Sequence, residues 1–150
     1  MSRWPSGSGA EGTALGVALF ESFGSIVGEV AEVSIQRGKP RVHRVWCAID
    51  CGVAINPNSV EAQMQGGIFF GLTAALYGEI TLEKGKIRQS NFHDYRMVRF
   101  ADGPRIEVDI LTTPDVPVGG AGEPGTPPIA PAVANAIAAL SKRPRKMPFA

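Results

Sequence analysis

Apolar positions along the chain follow a two-residue rhythm in some stretches and a three-to-four-residue rhythm in others, with Gly/Pro-rich gaps between. From Leu15 to Ile35 valines, isoleucines and phenylalanines recur, and Gly24-Ser25 interrupts them. That predicts a hairpin of strands over residues 15–23 and 26–36, because alternation turns every second side chain to one face and Gly punctuates a turn. A turn through Gln36, Arg37, Gly38, Lys39 and Pro40 leads to a third strand over residues 41–50, with Val42, Val45 and Ile49 as its apolar members. After the Asn56-Pro57 turn, Val60, Met64, Ile68, Leu72 and Ala75 step by three or four and predict a helix over residues 58–77. Residues 79–82 and 86–89 flank Gly85 as a short hairpin, and residues 91–99 are aromatic and irregular. Over residues 105–113, Ile106, Val108 and Ile110 alternate with Glu107 and Asp109, which predicts a half-buried strand. A Gly/Pro-rich loop over 114–128 precedes a last helix over 129–141, apolar nearly all round and so expected to be buried. The order β-β-β-α-β-β-β-α predicts an α+β domain, a mixed sheet with two main helices packed on one face.

A chain of 150 residues suits one such domain, here residues 14–150, behind a polar, Gly/Ser-rich and flexible segment over residues 1–13. A net charge of +1 argues against nucleic-acid binding, which needs a clustered basic face. The basic end, Lys142-Arg143-Pro144-Arg145-Lys146, reads as a solvated tail. No apolar run approaches the roughly 20 residues of a membrane span. The N-terminus lacks the pattern of a signal peptide, which makes the cytoplasm the default location and leaves the periplasm reachable through a partner. Cys47 and Cys51 do not make a disulfide framework. On an extended strand they would stand roughly 13 Å apart, too far to share one metal ion. His43 and His93 are isolated from other ligand types. No protein metal site is expected.

Candidate chemistry concentrates in the loop Gly119-Gly120-Ala121-Gly122-Glu123-Pro124-Gly125. Its glycines allow close backbone approach to a ligand, and Glu123 is the one carboxylate in an otherwise uncharged run. Pro124 biases Glu123 toward extended dihedrals. A carboxylate fixed on so rigid a loop, with apolar surroundings, can serve as a proton acceptor; a glutamate pointing at water is the bland alternative. The stretch also matches G-x-G-x-x-G, but Pro124, Pro127 and Pro128 obstruct the helix a dinucleotide fingerprint needs, and no acidic residue follows Glu123. Thr126 is a candidate cap for the last helix. A second constellation is Gln63, Gly67 and Gly71, spaced by four and so on one helical face. It offers either a flat strip for a ligand or a surface for close helix packing. The segment Asn91-Phe92-His93-Asp94-Tyr95-Arg96 has the makings of a pocket lining, without spacing that specifies chemistry.

Taken together, Ala48-Ile49-Asp50-Cys51-Gly52, Ile55-Asn56-Pro57, Gln63-Met64-Gln65-Gly66-Gly67, Gly71-Leu72, Asn91-Phe92-His93-Asp94-Tyr95 and Gly122-Glu123-Pro124 resemble a known family. It is the C-terminal part of the molybdopterin-binding subunit of xanthine oxidase/aldehyde oxidase enzymes. The run from Gly120 to Pro131 and the ending Arg145-Lys146-Met147-Pro148-Phe149 come nearest to the isoquinoline 1-oxidoreductase β-subunit type. The resemblance covers about residues 14–149 and implies hydroxylation of an aldehyde or N-heteroaromatic carbon with oxygen from water. It casts Glu123 as the catalytic base, and Gln63, Gly122 and Gly67 as cofactor-binding residues. The cofactor implied is molybdopterin, in bacteria the cytosine dinucleotide form, with iron–sulfur clusters on a partner. Implied partners are the remaining cofactor-binding portion of the large subunit, a [2Fe-2S] small subunit and a small-molecule substrate. The family subunit is several times longer, so the chain is expected to be a split subunit, a truncated product or an excised domain, inactive alone. The alternative is a non-catalytic remnant or assembly module that keeps the family core.

Overall fold

The computed structural model describes residues 9–113 and 115–149. Strands β1 (Thr13–Ser22), β2 (Ser25–Gln36) and β3 (Lys39–Asp50) form an antiparallel meander. Helix α1 (Pro57–Leu76) carries the chain across the sheet. A two-stranded ribbon, β4 (Leu82–Glu83) and β5 (Lys86–Ile87), and one turn of 3-10 helix at Phe100–Asp102 precede β6 (Arg105–Leu111). β6 joins β3 in parallel, giving the sheet order β1-β2-β3-β6, and helix α2 (Ile129–Leu140) ends the domain. The mixed sheet with two helices is the α+β arrangement that the hydrophobic pattern predicts.

Local chemistry sets the turns. The β1–β2 connection is Phe23-Gly24, with φ of 56° and 74°. Arg37-Gly38 and Lys84-Gly85 repeat the pattern in the other two hairpins. Positive φ at both loop positions matches the twist of the flanking strands, and Gly adopts it without a Cβ penalty. The first turn therefore falls one residue earlier than Gly24-Ser25, and Ser25 already pairs within β2. Helix α1 starts at Pro57 because the Asn56 side chain accepts from the Ser59 amide at 3.2 Å and caps it.

One face of the sheet carries the core. Val27, Ala31 and Val33 of β2 and Val45, Cys47 and Ile49 of β3 meet Met64, Ile68 and Leu72 of α1 and Ala132, Val133 and Ala136 of α2. Gly16 lets α2 lie directly on β1, since a Cβ there would overlap the Ala132 carbonyl and the Ala136 amide. Helix α2 is not buried all round: Pro131, Asn135 and Ala139 are exposed, small or polar side chains on its outward face. Asn135 donates to the Val17 carbonyl at 2.9 Å, capping a free group on the edge strand. Thr126 does not cap α2; Pro128 occupies the N-cap position, with no side-chain cap bond. Of the N-terminal segment, residues 1–8 lie outside the described residues. Ala10 donates its amide to Glu32 at 3.0 Å, and Thr13 opens β1.

Candidate functional site

Three elements converge at one end of the sheet. The end of β1 contributes Phe20 and Ser22 and the turn after it Phe23, helix α1 contributes Gln63, Gly66, Gly67 and Phe70, and the loop before α2 contributes Gly122, Glu123, Thr126 and Pro127. Between them lies a cleft of about 730 Å³, in the size range of small-molecule sites. Gln63, Gly67, Gly122 and Glu123, picked from two separate stretches of sequence, all line it. Glu123 is the one ionisable side chain in that lining, and it is exposed, not enclosed by apolar neighbours.

The loop is held from both sides. The Gln63 amide Nε2 donates to the Gly122 carbonyl at 3.2 Å. The Gly119 amide donates to the Cys51 carbonyl at 2.9 Å, and the Gly120 amide to the Phe23 carbonyl at 2.8 Å. Ser25 Oγ donates to the Gly120 carbonyl at 2.8 Å. Past Glu123 the chain turns through a bond from the Thr126 amide to the Glu123 carbonyl at 2.9 Å, and the Pro124 ring is buried. At the end of β3, Asp50 accepts from the Gly52 amide at 3.0 Å and from the Thr113 hydroxyl. Those bonds, Thr113 first and Gly52 second, hold the Asp50 carboxyl below its ordinary range.

The glycines divide into two kinds. Gly67 and Gly71 serve packing. A Cβ on Gly67 would stand 3.1 Å from Thr126 Oγ1, and one on Gly71 would stand 2.7 Å from the Thr126 carbonyl oxygen. Close helix–loop packing thus accounts for both, although Gly67 also lines the cleft. Gly66 and Gly122 are different. Nothing lies within 4 Å of a Cβ built on Gly66, and only Gln63 Nε2, at 3.7 Å, lies near one on Gly122. Both line the cleft, so the protein's own packing does not require their missing side chains. They form a cradle that side chains would partly fill.

The aromatic segment after β5 builds a separate cleft of about 450 Å³, lined by Phe92 to Met97 and Arg99. Its polar groups hold each other. Asp94 accepts from the Asn91 and Ser90 amides, which hold its carboxyl below the usual carboxylate range, and Arg96 stacks on Tyr77 at 3.8 Å. Cys47 and Cys51 are buried free thiols, and among the described residues no group of three His, Cys, Asp or Glu is placed to hold a metal ion. Among the described residues no helix is long and apolar enough to cross a membrane. Sequence reasoning missed Phe20, Ser22, Phe23 and Phe70 of the main cleft. The one available signal was the turn propensity of Phe23-Gly24, which points the strand ends at the loop only once the sheet order is known.

A family model described as the molybdopterin cofactor-binding domain matches residues 8–104. Gly122 and Glu123 lie beyond that stretch. The chain is 40% identical over 145 residues to isoquinoline 1-oxidoreductase subunit beta of Brevundimonas diminuta, covering 94% of this chain and 18% of that protein. It is 32% identical over 122 residues to a membrane-bound aldehyde dehydrogenase [pyrroloquinoline-quinone] of Gluconacetobacter polyoxogenes, covering 79% and 16%. A solved Cu,Mo-CO dehydrogenase superposes with a TM-score of 0.71 at 26% identity, covering 83% of this chain and 17% of that one. The chain thus spans less than a fifth of the length of these relatives.

Proposed function

Because the chain belongs to the family of the molybdopterin cofactor-binding domain, we propose that it supplies one wall of a molybdenum hydroxylase active site, with Glu123 as general base. The observation that carries this reading is the convergence of Gln63, Gly66, Gly122 and Glu123, from α1 and a distant loop, on one cleft. The cradle at Gly66 and Gly122 fits a bulky group from outside the chain, and the Gln63 amide at its rim suits the polar edge of a pterin.

The bound molybdenum cofactor supplies the two-electron redox chemistry of hydroxylation. This chain supplies placement and a proton acceptor. Gln63 is held by its bond to the Gly122 carbonyl, which leaves its amide oxygen free to accept from the cofactor. Gly122, Gly66 and Gly67 let backbone approach without intervening side chains. The Glu123 carboxylate takes the proton released as water-derived oxygen is transferred, a role that needs hydrogen-bond reach and a fixed backbone. Phe20, Phe23 and Phe70 present ring surface beside it, and an aldehyde or N-heteroaromatic substrate would pack against such a wall.

The cofactor form is the cytosine dinucleotide, with iron–sulfur clusters on a separate [2Fe-2S] subunit. The remaining cofactor-binding portion of the large subunit closes the cleft, and the chain alone is inactive. Co-expression with that portion is expected to yield a complex with stoichiometric molybdenum, and the lone chain none. Stoichiometric molybdenum on the lone chain, by elemental mass spectrometry, would contradict the half-site account. A second reading is a non-catalytic remnant or assembly module that keeps the family core. It predicts a complex that forms without molybdenum. Within the complex, Gln63→Ala is expected to lower molybdenum retention, and unchanged occupancy would count against the role of Gln63.

A further inference from the structure

We propose that the β1–β2 turn is a positioning clamp for Glu123, with Ser25 the side chain that closes it. The proposal rests on the reading of Glu123 as the base.

The clamp grips a single residue by both of its backbone groups. The Gly120 amide donates to the Phe23 carbonyl at 2.8 Å, and the Gly120 carbonyl accepts from Ser25 Oγ at 2.8 Å. Ser25 and Gly120 are 95 residues apart in sequence, so the contact exists only in the folded domain. Ser25 is wholly buried, and a Cβ on Gly119 would overlap its hydroxyl oxygen. Only glycine admits so close an approach. The neighbouring Gly119 amide is tied to the Cys51 carbonyl at 2.9 Å. Two residues on, the Gly122 carbonyl is tied to Gln63 at 3.2 Å. Glu123 therefore leaves a backbone fixed on two sides, while its own side chain remains exposed.

The same turn shapes the cleft. Phe23 provides the carbonyl that holds Gly120, and its ring lines the wall beside Glu123. One element thus sets both the position of the carboxylate's loop and the surface a substrate would pack against. Small errors in such spacing are costly, with a displacement of about 1 Å reducing turnover by roughly 100-fold. Ser25 touches neither substrate nor cofactor in this account; it acts through the loop.

Two measurements test the clamp on Ser25→Ala, with Ser25→Thr as the variant that keeps the hydroxyl. In the chain itself, amide hydrogen exchange at Gly119 and Gly120, the two loop amides that donate hydrogen bonds, is expected to quicken at least tenfold in Ser25→Ala, with Val27, Val45 and Ile49 unchanged. In the cofactor-loaded complex, kcat per bound molybdenum is expected to fall about 10- to 100-fold with KM within about twofold, and Ser25→Thr to recover most of it. In a Glu123→Gln background, Ser25→Ala should lower kcat no further. Unaltered exchange at Gly120 overturns the clamp, and so does equal acceleration across the sheet, which marks a general loss of stability. Failure of the base assignment reads out separately: Glu123→Gln would then keep its turnover whatever Gly120 does.

Discussion

Glu29 is a carboxyl buried at a cost in desolvation. It sits in β2 between Ala18 and Cys47, fully buried, and neither carboxyl oxygen has a hydrogen-bond partner among the described residues. Burial pushes its pKa up to about 9, from an ordinary 4.5, so it is carried neutral in the fold at pH 7. Burial first, and then the nearby Glu29 and Asp109, likewise push the Cys47 thiol up and leave it inert. The sign of the linkage follows. Between about 4.5 and about 9 the folded state binds a proton that the unfolded state has lost, so stability falls as pH rises across that window. Glu29→Gln removes the titration, and its stability relative to the parent is expected to rise with pH by several kcal/mol in all, levelling off above about pH 9. Denaturation midpoints of both proteins across that range check it; parallel pH profiles would contradict it. At this scale the sequence was legible where chemistry is local. Gln63 and Glu123 stand in short motifs that constrain their own backbone. Glu29 and Ser25 did not stand out, because burial and a partner 95 residues away are properties of the fold.

Elements were legible wherever period and punctuation agreed. The strands and both helices follow from alternation and four-residue steps, and Gly marks each hairpin turn, the first falling one residue earlier than Gly24-Ser25 suggests. Boundaries moved where a side chain decided them, as at Asn56, which caps α1 and brings its start to Pro57. Helix α2 reads as buried because its residues are nearly all apolar, yet Pro131, Asn135 and Ala139, spaced by four, share one exposed side. The packing of α2 on β1 is close enough to test. Gly16→Ala places a methyl against two backbone groups of α2, which cannot rotate away. A loss of about 2 kcal/mol or more is expected in chemical denaturation. A neutral result would mean that α2 does not rest on Gly16. Asn56→Ala is a milder probe, expected to cost about 1 kcal/mol through loss of the cap.

For the whole molecule, the layer order and the mixed sheet were readable, but the cleft was not. Its walls come from residues 20–23, 63–70 and 122–127, and only the sheet order β1-β2-β3-β6 with α2 across β1 brings them together. The chain spans 18% of its isoquinoline-oxidoreductase relative, and the proposed function makes the domain one wall of a larger site. Under that proposal it contributes one held amide, a glycine cradle and one carboxylate. The carboxylate is the point on which the account turns. In the assembled, cofactor-loaded enzyme, turnover per bound molybdenum of Glu123→Gln should be compared with that of the parent. Loss of a base that acts in the transition state predicts a kcat lowered by about 100- to 10,000-fold at unchanged molybdenum content. Near-parent turnover at full molybdenum occupancy would contradict it.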